Sequence, residues 1–251
     1  PLMSRRYISV LEHTALHRIE EHVAHSAPLA QTHRMSWLFG SAKRSMISPE
    51  DAMPGRGTRA HSVPARHAAL GTSLEGPWSE TAEVIYFAMG CFWGAERKFW
   101  QVPGVVTTAV GYQGGFSPNP TYEEVCTART GHTEAVMVAY EPAEVSTYQL
   151  LKVFWENHDP TQVFRQGNDV GTQYRSAIYW TTADQERLSD ATRDAYNDVL
   201  VGKGFDPIST EIRPASGLEF YFAEEHHQQY LYKIPNGYDC HADTGILLPA
   251  L

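Results

Sequence analysis

The chain has 251 residues, enough for one or two domains with a substantial core, and its 42% hydrophobic content is ordinary for a globular protein. Its formal net charge of −9 is uneven, because residues 1–80 carry nine Lys/Arg against seven Asp/Glu and the remainder carries eleven against twenty-two, which argues against a nucleic-acid partner. Three cysteines are too few for a disulfide-stapled secreted scaffold, and no twenty-residue apolar run is present, so we expect a cytoplasmic protein without a membrane partner.

Residues 1–80 are predicted to form an N-terminal extension, partly helical and then irregular. Its helical part is indicated by apolar residues that recur at spacings of three and four, namely Ile8, Leu11, Ala15, Ile19 and Val23. From Ser41 to Glu80 the chain is rich in Ser, Gly, Pro and Arg and contains the turn signals Pro54-Gly55 and Gly76-Pro77. Residues 81–251 are predicted to form the second unit, a catalytic domain that ends in a coil.

Strands and helices are mixed along residues 81–251. The predicted strands are Val84–Met89, Val105–Tyr112, Thr133–Tyr140, Ser176–Trp180 and Ile208–Arg213. Three of the predicted helices are Trp93–Trp100, Tyr122–Thr127 and Ala223–Tyr232. Two more are indicated by their caps, one by Ser146 with Gln149 and one by Thr182 with Gln185. The apolar residues Leu188, Ala191, Ala195 and Val199 share one face of the last of these, and we expect that face to be buried. A polar loop over 161–172 and coil after Lys233 complete the chain. This order favours two layers, an antiparallel or mixed sheet with helices on one face.

Cys91 is the candidate nucleophile. It follows the apolar run Val84–Met89 and a glycine, and it opens a helix-forming segment. A thiol in the first turn of a helix lies among unpaired backbone N–H groups at the positive end of the helix dipole, which favours the reactive thiolate. Phe92 and Trp93 follow directly and can wall an apolar pocket beside the sulfur. The alternative is a small buried core residue, a common role for a cysteine after an apolar strand.

Glu134 is the candidate proton donor. It begins a strand in which residues 135–139 are nearly all apolar. Because burial penalises the charged form, the pKa of this carboxyl should rise until the group is protonated near neutral pH. The alternative is a glutamate at a strand end in contact with water.

Three further polar residues lie in or beside loops, where side chains often face a ligand. Tyr122 and Tyr174 can each direct a phenol O–H at a bound oxygen, although the chain has thirteen tyrosines and composition alone does not select these two. Asp169 lies in the glycine-flanked loop Gly167–Gly171 and would orient a water, or alternatively form an Asx turn.

The remaining cysteines and the C-terminal histidines raise two more hypotheses. Cys240 lies in the predicted C-terminal coil, from which a thiol can reach an oxidised cysteine, as a resolving cysteine must. Cys126 has apolar neighbours and is predicted to be buried and inert. A metal site at His226 and His227 is disfavoured, because adjacent helical residues point about 100° apart and the chain has no closed ligand spacing. We therefore expect no metal.

Six segments form a recognisable set. They are Gly90–Glu96, Val110–Gly115, Asn119–Cys126, Gly131–Val136, Asp169–Ser176 and Phe222–Tyr230. In content and order they resemble the signature of the peptide methionine sulfoxide reductase A family, and the resemblance covers Ala82 to Gly245. It implies an α+β fold, a two-layer sandwich with a mixed, mainly antiparallel sheet, a ferredoxin-like core and long coil segments.

The resemblance also implies a repair reaction, the thiol-dependent reduction of methionine S-sulfoxide, free or protein-bound, to methionine. Phe92 and Trp93 would hold the methyl group of the substrate. Cys91 would attack the sulfoxide sulfur while Glu134 gives up its proton, so that methionine leaves and Cys91 becomes a sulfenic acid.

Other site residues receive their roles from the same resemblance. Tyr122 and Tyr174 would bind the sulfoxide oxygen, and Asp169 would place a water or the substrate. Cys240 would then attack Cys91 to form a disulfide that thioredoxin reduces. No metal or organic cofactor is implied, and we expect a monomer.

One departure from the family pattern and two rival functions stay open. Asp239 precedes Cys240, and His-Ala-Asp over 241–243 replaces the glycines that are common in the family's C-terminal segment. A cysteine hydrolase would use His132 or His158 as its base and would need no reductant. A non-catalytic module that binds methionine peptides would not depend on the thiol of Cys91.

Overall fold

A six-stranded sheet organises residues 43–239 and 242–251, the part of the chain that the computed structural model describes. The strands in chain order are β1 (Glu83–Ala88), β2 (Val105–Gln113), β3 (Thr133–Tyr140), β4 (Arg165–Gln166), β5 (Asp169–Val170), β6 (Ala177–Trp180), β7 (Glu211–Pro214) and β8 (Tyr221–Phe222). The sheet order is β7-β6-β1-β3-β2-β8, and only the β6–β7 pair is parallel. Strands β4 and β5 form a separate hairpin.

Five helices accompany the sheet within the described residues. They are α1 (Phe92–Trp100), α2 (Tyr122–Cys126), α3 (Thr147–Glu156), α4 (Ala183–Gly202) and α5 (Tyr230–Lys233), with 3₁₀ turns at Pro49–Asp51 and Thr172–Tyr174. The order β1-α1-β2-β3-α3-β6, with β6-β1-β3-β2 in the sheet, is the ferredoxin-like core expected from the resemblance. In the described ranges, no helix has both the length and the apolar composition needed to cross a bilayer.

The central strand β3 is buried along its whole length because both faces of the sheet are covered. Val136 and Val138 belong to the core formed with helices α1, α3 and α4. Their neighbours Ala135 and Met137 point to the opposite face, since side chains alternate along a strand. Irregular segments cover that second face, including residues 63–78 and 215–220. The sandwich therefore has a helical layer on one side of the sheet and coil on the other.

Most predicted elements are present with bounds within three residues, but between residues 161 and 232 three features differ from the prediction. The predicted helix Ala223–Tyr232 is wrong, because only α5 is helical and Gln229 adopts a left-handed backbone with φ 48°. The side chain of Gln228 instead bonds both backbone groups of Val110 at the sheet edge, at 2.9 and 2.8 Å. The strand predicted at 208–213 begins three residues later, as β7. It is followed by β8, where the sequence predicts no strand. The loop predicted over 161–172 contains the β4–β5 hairpin.

The buried face of α4 differs from the predicted one. Its buried residues are Gln185, Ser189, Thr192, Tyr196 and Leu200. The apolar residues that the spacing selected are only half-buried. Polar residues enter the core here because they have partners: Gln185 Nε2 donates to Val84 O at 3.2 Å, and Thr192 Oγ1 accepts from Trp155 Nε1 at 2.8 Å.

Residues 43–80 are irregular apart from one 3₁₀ turn, and they pack on the sheet domain. The Arg56 guanidinium binds the Glu124 carboxylate in a bidentate pair, and Leu74 is fully buried beside the outer face of the sheet. The helix predicted within residues 8–23 lies outside the described residues. The domain boundary at 80/81 stays a prediction.

Candidate active site

Cys91 lies at the N-terminal cap of α1, immediately after the turn that follows β1. Gly90 has φ 92°, and a Cβ at this position would lie 2.7 Å from the side chain of Gln166, so the turn requires glycine. The Cys91 side chain is buried but not sealed, with 6% of its surface accessible. The sequence therefore places the thiol at the positive end of α1, as expected from the order of strand, glycine, cysteine and helix.

Glu134 is the second residue of β3 and faces the start of the same helix. Its Oε2 accepts a hydrogen bond from the backbone N–H of Phe92 at 3.0 Å. The carboxyl is 2% exposed, and burial raises its pKa to about 8. The Phe92 N–H opposes that rise, and the charge of Asp169 adds to it. The group is therefore a neutral acid near pH 7 that can donate a proton beside Cys91.

Two phenols lie close enough to the Glu134 carboxyl for its charge to act on them. Tyr122 is the first residue of α2, held by a capping box at Thr121, and Tyr174 ends the 3₁₀ turn after β5. Burial, and then the negative charge of Glu134, raises the pKa of both hydroxyls well above the ordinary value. Both groups stay protonated, so each can donate a hydrogen bond to an oxygen held between them.

The predicted apolar pair Phe92 and Trp93 forms one wall of the site. Their ring centroids are 6.4 Å apart, and Trp93 stacks on Tyr230 with centroids 4.0 Å apart and an interplanar angle of 22°. The imidazole of His227 lies 5.4 Å from the Phe92 ring, 5.7 Å from Trp93 and 4.5 Å from Tyr122. The wall is therefore a continuous aromatic surface beside Cys91.

Asp169 lies on β5, where the C-terminal segment contacts the site through Tyr238. Its Oδ1 accepts from the hydroxyl of Tyr238 at 3.0 Å, and its Oδ2 is buried without a hydrogen-bond partner among the described residues. The next residue, Asp239, pairs with the guanidinium of Arg97 on α1. Cys240 itself lies outside the described residues.

Comparison with known proteins agrees with this geometry. The sequence model of the family described as peptide methionine sulfoxide reductase matches residues 83–248. The chain belongs to the peptide methionine sulfoxide reductase family. This membership identifies it as an oxidoreductase that reduces methionine sulfoxide.

Individual relatives match most of the reductase chain. Peptide methionine sulfoxide reductase MsrA of Rhodospirillum centenum is 56% identical over 84% of this chain and 95% of its own length. The MsrA of Streptomyces griseus is 57% identical over 80% of this chain and 91% of its own. Among solved structures, methionine sulfoxide reductase A of Corynebacterium diphtheriae superposes with a TM-score of 0.74 at 45% identity, covering 82% of this chain and 100% of that one.

Two further residues of the reductase bind side chains or backbone of the site, and the sequence alone predicts no catalytic or substrate-binding role for them. The Nδ1 atom of His227 accepts from the indole N–H of Trp93 at 3.1 Å, and burial lowers the pKa of this ring to about 4, which keeps it neutral. The carboxylate of Glu224 accepts from the backbone N–H of Tyr122 at 2.8 Å and from the hydroxyl of Tyr112 at 2.9 Å. Both residues lie in the Phe222–Tyr230 segment of the resemblance, which is the one signal that singles them out.

The contacts of His132 and His158 weaken the alternative of a cysteine hydrolase that uses either residue as its base. The ring of His132 accepts from Gly115 N at 3.0 Å and lies 2.8 Å from Ser117 O, so both nitrogens are occupied away from Cys91. The His158 nitrogens lie 2.7 Å from Phe154 O and from Ser176 Oγ. Cys126 is half-buried rather than fully buried, and burial raises the pKa of its thiol. Within the described residues, no group of three or more His, Cys, Asp or Glu is arranged to hold a metal ion.

Proposed function

We propose that this reductase acts on the S epimer of methionine sulfoxide, free or within proteins, with Cys91 as nucleophile and Glu134 as acid. The observation that carries the proposal is the contact between the neutral carboxyl of Glu134 and the N–H of Phe92, the residue after Cys91. A proton donor and a thiol at a helix start thus share one site. The proposal extends to protein repair, the purpose of such a reaction in a cell.

The first chemical step transfers the sulfoxide oxygen to Cys91. The Cys91 thiolate attacks the sulfoxide sulfur and Glu134 gives its proton to the oxygen, so the substrate sulfur carries a new bond to Cys91 and a hydroxyl group. The hydroxyl then moves to the Cys91 sulfur while the sulfur–sulfur bond and the sulfur–oxygen bond of the substrate break. The methionine sulfur regains an electron pair, and Cys91 is left as a sulfenic acid. Hydrogen bonds from Tyr122 and Tyr174 to the oxygen lower the barrier because they stabilise the charge that develops there.

Phe92 and Trp93 hold the substrate methyl group in this proposal, since the aromatic wall beside Cys91 offers an apolar surface of fixed orientation. Asp169 orients a water or the substrate. Its buried Oδ2 has no hydrogen-bond partner in the described part of the chain, so it is an acceptor that a polar substrate group can use.

Cys240 is the proposed resolving cysteine. Its thiol attacks the sulfenic acid of Cys91, a disulfide forms and water leaves; a dithiol protein of the thioredoxin class then reduces the disulfide. Support comes from the preceding residues: Tyr238 bonds Asp169, and Asp239 pairs with Arg97 on the helix that begins after Cys91.

We further propose that residues 81–251 act as a monomeric catalytic domain in the cytoplasm, where the three cysteines would start reduced.

The assay that tests the function follows reduction of each epimer of N-acetyl-methionine sulfoxide by the full chain with dithiothreitol. We expect turnover of the S epimer only, because one face of the sulfur must meet Cys91 while the methyl group lies on Phe92 and Trp93. Omitting dithiothreitol is the control and should limit the reaction to one equivalent. Cleavage of the acetyl amide without reductant, with the sulfoxide left intact, would instead support a hydrolase. Equal rates on both epimers would rule out the proposed pocket.

A second prediction concerns the disulfide. After one equivalent of S-sulfoxide without reductant, peptide mass spectrometry should detect a Cys91–Cys240 disulfide in the native chain. Cys240→Ser should instead accumulate a Cys91 sulfenic acid that dimedone traps, with unchanged formation of the first equivalent of methionine, because resolution follows oxygen transfer. A Cys91–Cys126 disulfide in the native chain would assign the resolving role to Cys126.

A further inference from the structure

Glu96 is a buried carboxylate on α1, five residues after Cys91, that the proposed mechanism does not use. It is fully buried. Its Oε2 accepts from the backbone N–H of Gln229 at 2.8 Å, and its Oε1 accepts from Gln229 Nε2 at 2.7 Å and from Thr108 Oγ1 at 3.0 Å. Burial raises the pKa of this carboxyl to about 7, and the three donors that converge on it oppose the rise because they favour the charged form.

Gln229, the main partner of Glu96, has an unusual backbone. Its φ of 48° and ψ of 44° lie in the left-handed region, which a non-glycine residue adopts at an energetic cost and only when its surroundings enforce it. Both bonds to Glu96 hold Gln229 in this conformation, one through its backbone and one through its side chain. The left-handed residue fixes the direction in which the chain enters α5.

The two residues that this turn directs are both part of the aromatic wall. Tyr230 follows Gln229 immediately and stacks on Trp93 with centroids 4.0 Å apart. His227 lies two residues earlier and accepts the indole N–H of Trp93 at 3.1 Å. Trp93 and Glu96 are three residues apart on α1 and so lie on neighbouring positions of one helix face. Through its bonds to Gln229, the Glu96 carboxylate therefore holds His227 and Tyr230 against Trp93.

A third group of contacts joins the N-terminal segment to the same carboxylate. The Nδ1 atom of His67 accepts from the backbone N–H groups of Ala69 and Leu70 at 3.1 and 3.0 Å, so the neutral ring carries its proton on Nε2. That nitrogen lies 2.9 Å from Thr108 Oγ1, which donates onward to Glu96. Each of these hydrogen bonds is donated in the direction of Glu96, so its carboxyl group is the final acceptor.

We propose that Glu96 is a positioning residue for substrate binding, which holds Gln229 and through it keeps Tyr230 and His227 against Trp93. It does not touch the substrate. The inference rests on the proposed role of Trp93 in binding the substrate methyl group. It gives a specific purpose to the buried acid of α1: a rigid aromatic wall binds the methyl group without first having to be ordered.

The test compares steady-state kinetics of the full chain on N-acetyl-methionine S-sulfoxide. Glu96→Gln replaces one acceptor oxygen by an NH₂ group that faces the existing donors. We expect KM to rise on the order of tenfold while kcat changes less than about threefold, the signature of lost binding that is uniform along the reaction. Gln229→Ala, which removes the side-chain bond to Glu96 but keeps the cost of the left-handed backbone and leaves Glu96 in place, should raise KM in the same direction and serves if Glu96→Gln folds poorly.

Rescue separates positioning from a general loss of stability. The exchange Glu96→Gln with Gln229→Glu moves the carboxylate to the other side of the pair and keeps complementary donors, so KM should return to within about threefold of the native value. Glu75→Gln, at an exposed ion pair with Arg59, is the matched control and should leave both constants unchanged. An unchanged KM in Glu96→Gln and Gln229→Ala, or a raised KM that the exchange does not restore, overturns the inference.

The variant Trp93→Ala separates failure of the inference about Glu96 from failure of the proposed methyl pocket. A raised KM in Trp93→Ala beside native KM values in the two turn variants overturns the role of Glu96 alone. A native KM in Trp93→Ala overturns the proposed methyl pocket and the inference together.

Discussion

Cys91→Ser should lower kcat/KM for methionine S-sulfoxide by at least about 10⁴-fold, the scale on which loss of a covalent nucleophile is measured. The reason is chemical as well as electrostatic. A serine hydroxyl is hardly ionised near neutral pH, even at the start of α1. If it did accept the sulfoxide oxygen, the product would be a weak oxygen–oxygen bond rather than a sulfenic acid, so the transfer has no favourable course.

The measurement is methionine formation from N-acetyl-methionine S-sulfoxide with dithiothreitol, together with dimedone labelling of residue 91. Serine is nearly the same size as cysteine, and residue 91 is 6% exposed, so the thermal unfolding midpoint should stay close to that of the native chain. Activity within tenfold of native in a folded Cys91→Ser chain would show that another group is the nucleophile. A binding module would likewise tolerate this change.

The local order of strand, glycine turn, cysteine and helix could be predicted because each part is set by its own neighbours. Gly90 must be glycine to turn beneath Gln166, and the next residues favour a helix, so Cys91 falls at the cap. The expected rise in the pKa of Glu134 likewise follows from the apolar strand around it, and the structure shows that rise. The capping box at Ser146 starts α3 where the pattern indicates.

The errors lie where distant contacts decide local structure. The composition of residues 223–232 favours a helix, yet Gln228 bonds the edge of β2 and Gln229 is held by Glu96, a residue 133 positions away. No local pattern carries that information. The buried face of α4 was missed for the same reason, since Gln185 and Thr192 are stable in the core only because of partners on other elements.

Glu134→Gln is expected to lower the rate of oxygen transfer by about 10²–10⁴-fold, the usual contribution of a general acid. Glutamine keeps the shape of the side chain and can accept the Phe92 N–H, but it has no proton to give. The rate should be measured as single-turnover methionine formation without reductant, so that disulfide resolution and reduction do not limit it. Glu144→Gln, at an exposed position, is the matched control and should react at the native rate.

The pH profile gives the sharper test of this acid. Since the pKa of Glu134 is raised to about 8, the native chain holds the required proton below that pH and loses it above. Its single-turnover rate should therefore fall as pH rises from about 7 to about 9, about one unit either side of the midpoint. Ionisation of the thiol acts in the opposite sense and cannot produce this falling limb. Glu134→Gln should lack the limb. A limb that persists unchanged in Glu134→Gln would assign the proton to another group.

The same proton links Glu134 to stability, with a sign that can be worked out. In the unfolded chain the carboxyl titrates near 4.5 and in the folded chain near 8, so between these values the folded state binds more protons. The stabilisation that this group contributes is therefore complete below about pH 4.5 and is lost as pH rises through 8. Glu134→Gln, which does not titrate, should flatten the decline in the free energy of unfolding between pH 6 and 8.5, measured by urea unfolding at fixed ionic strength. A decline as steep as that of the native chain would show that Glu134 is already ionised at pH 6 and is not available as the acid.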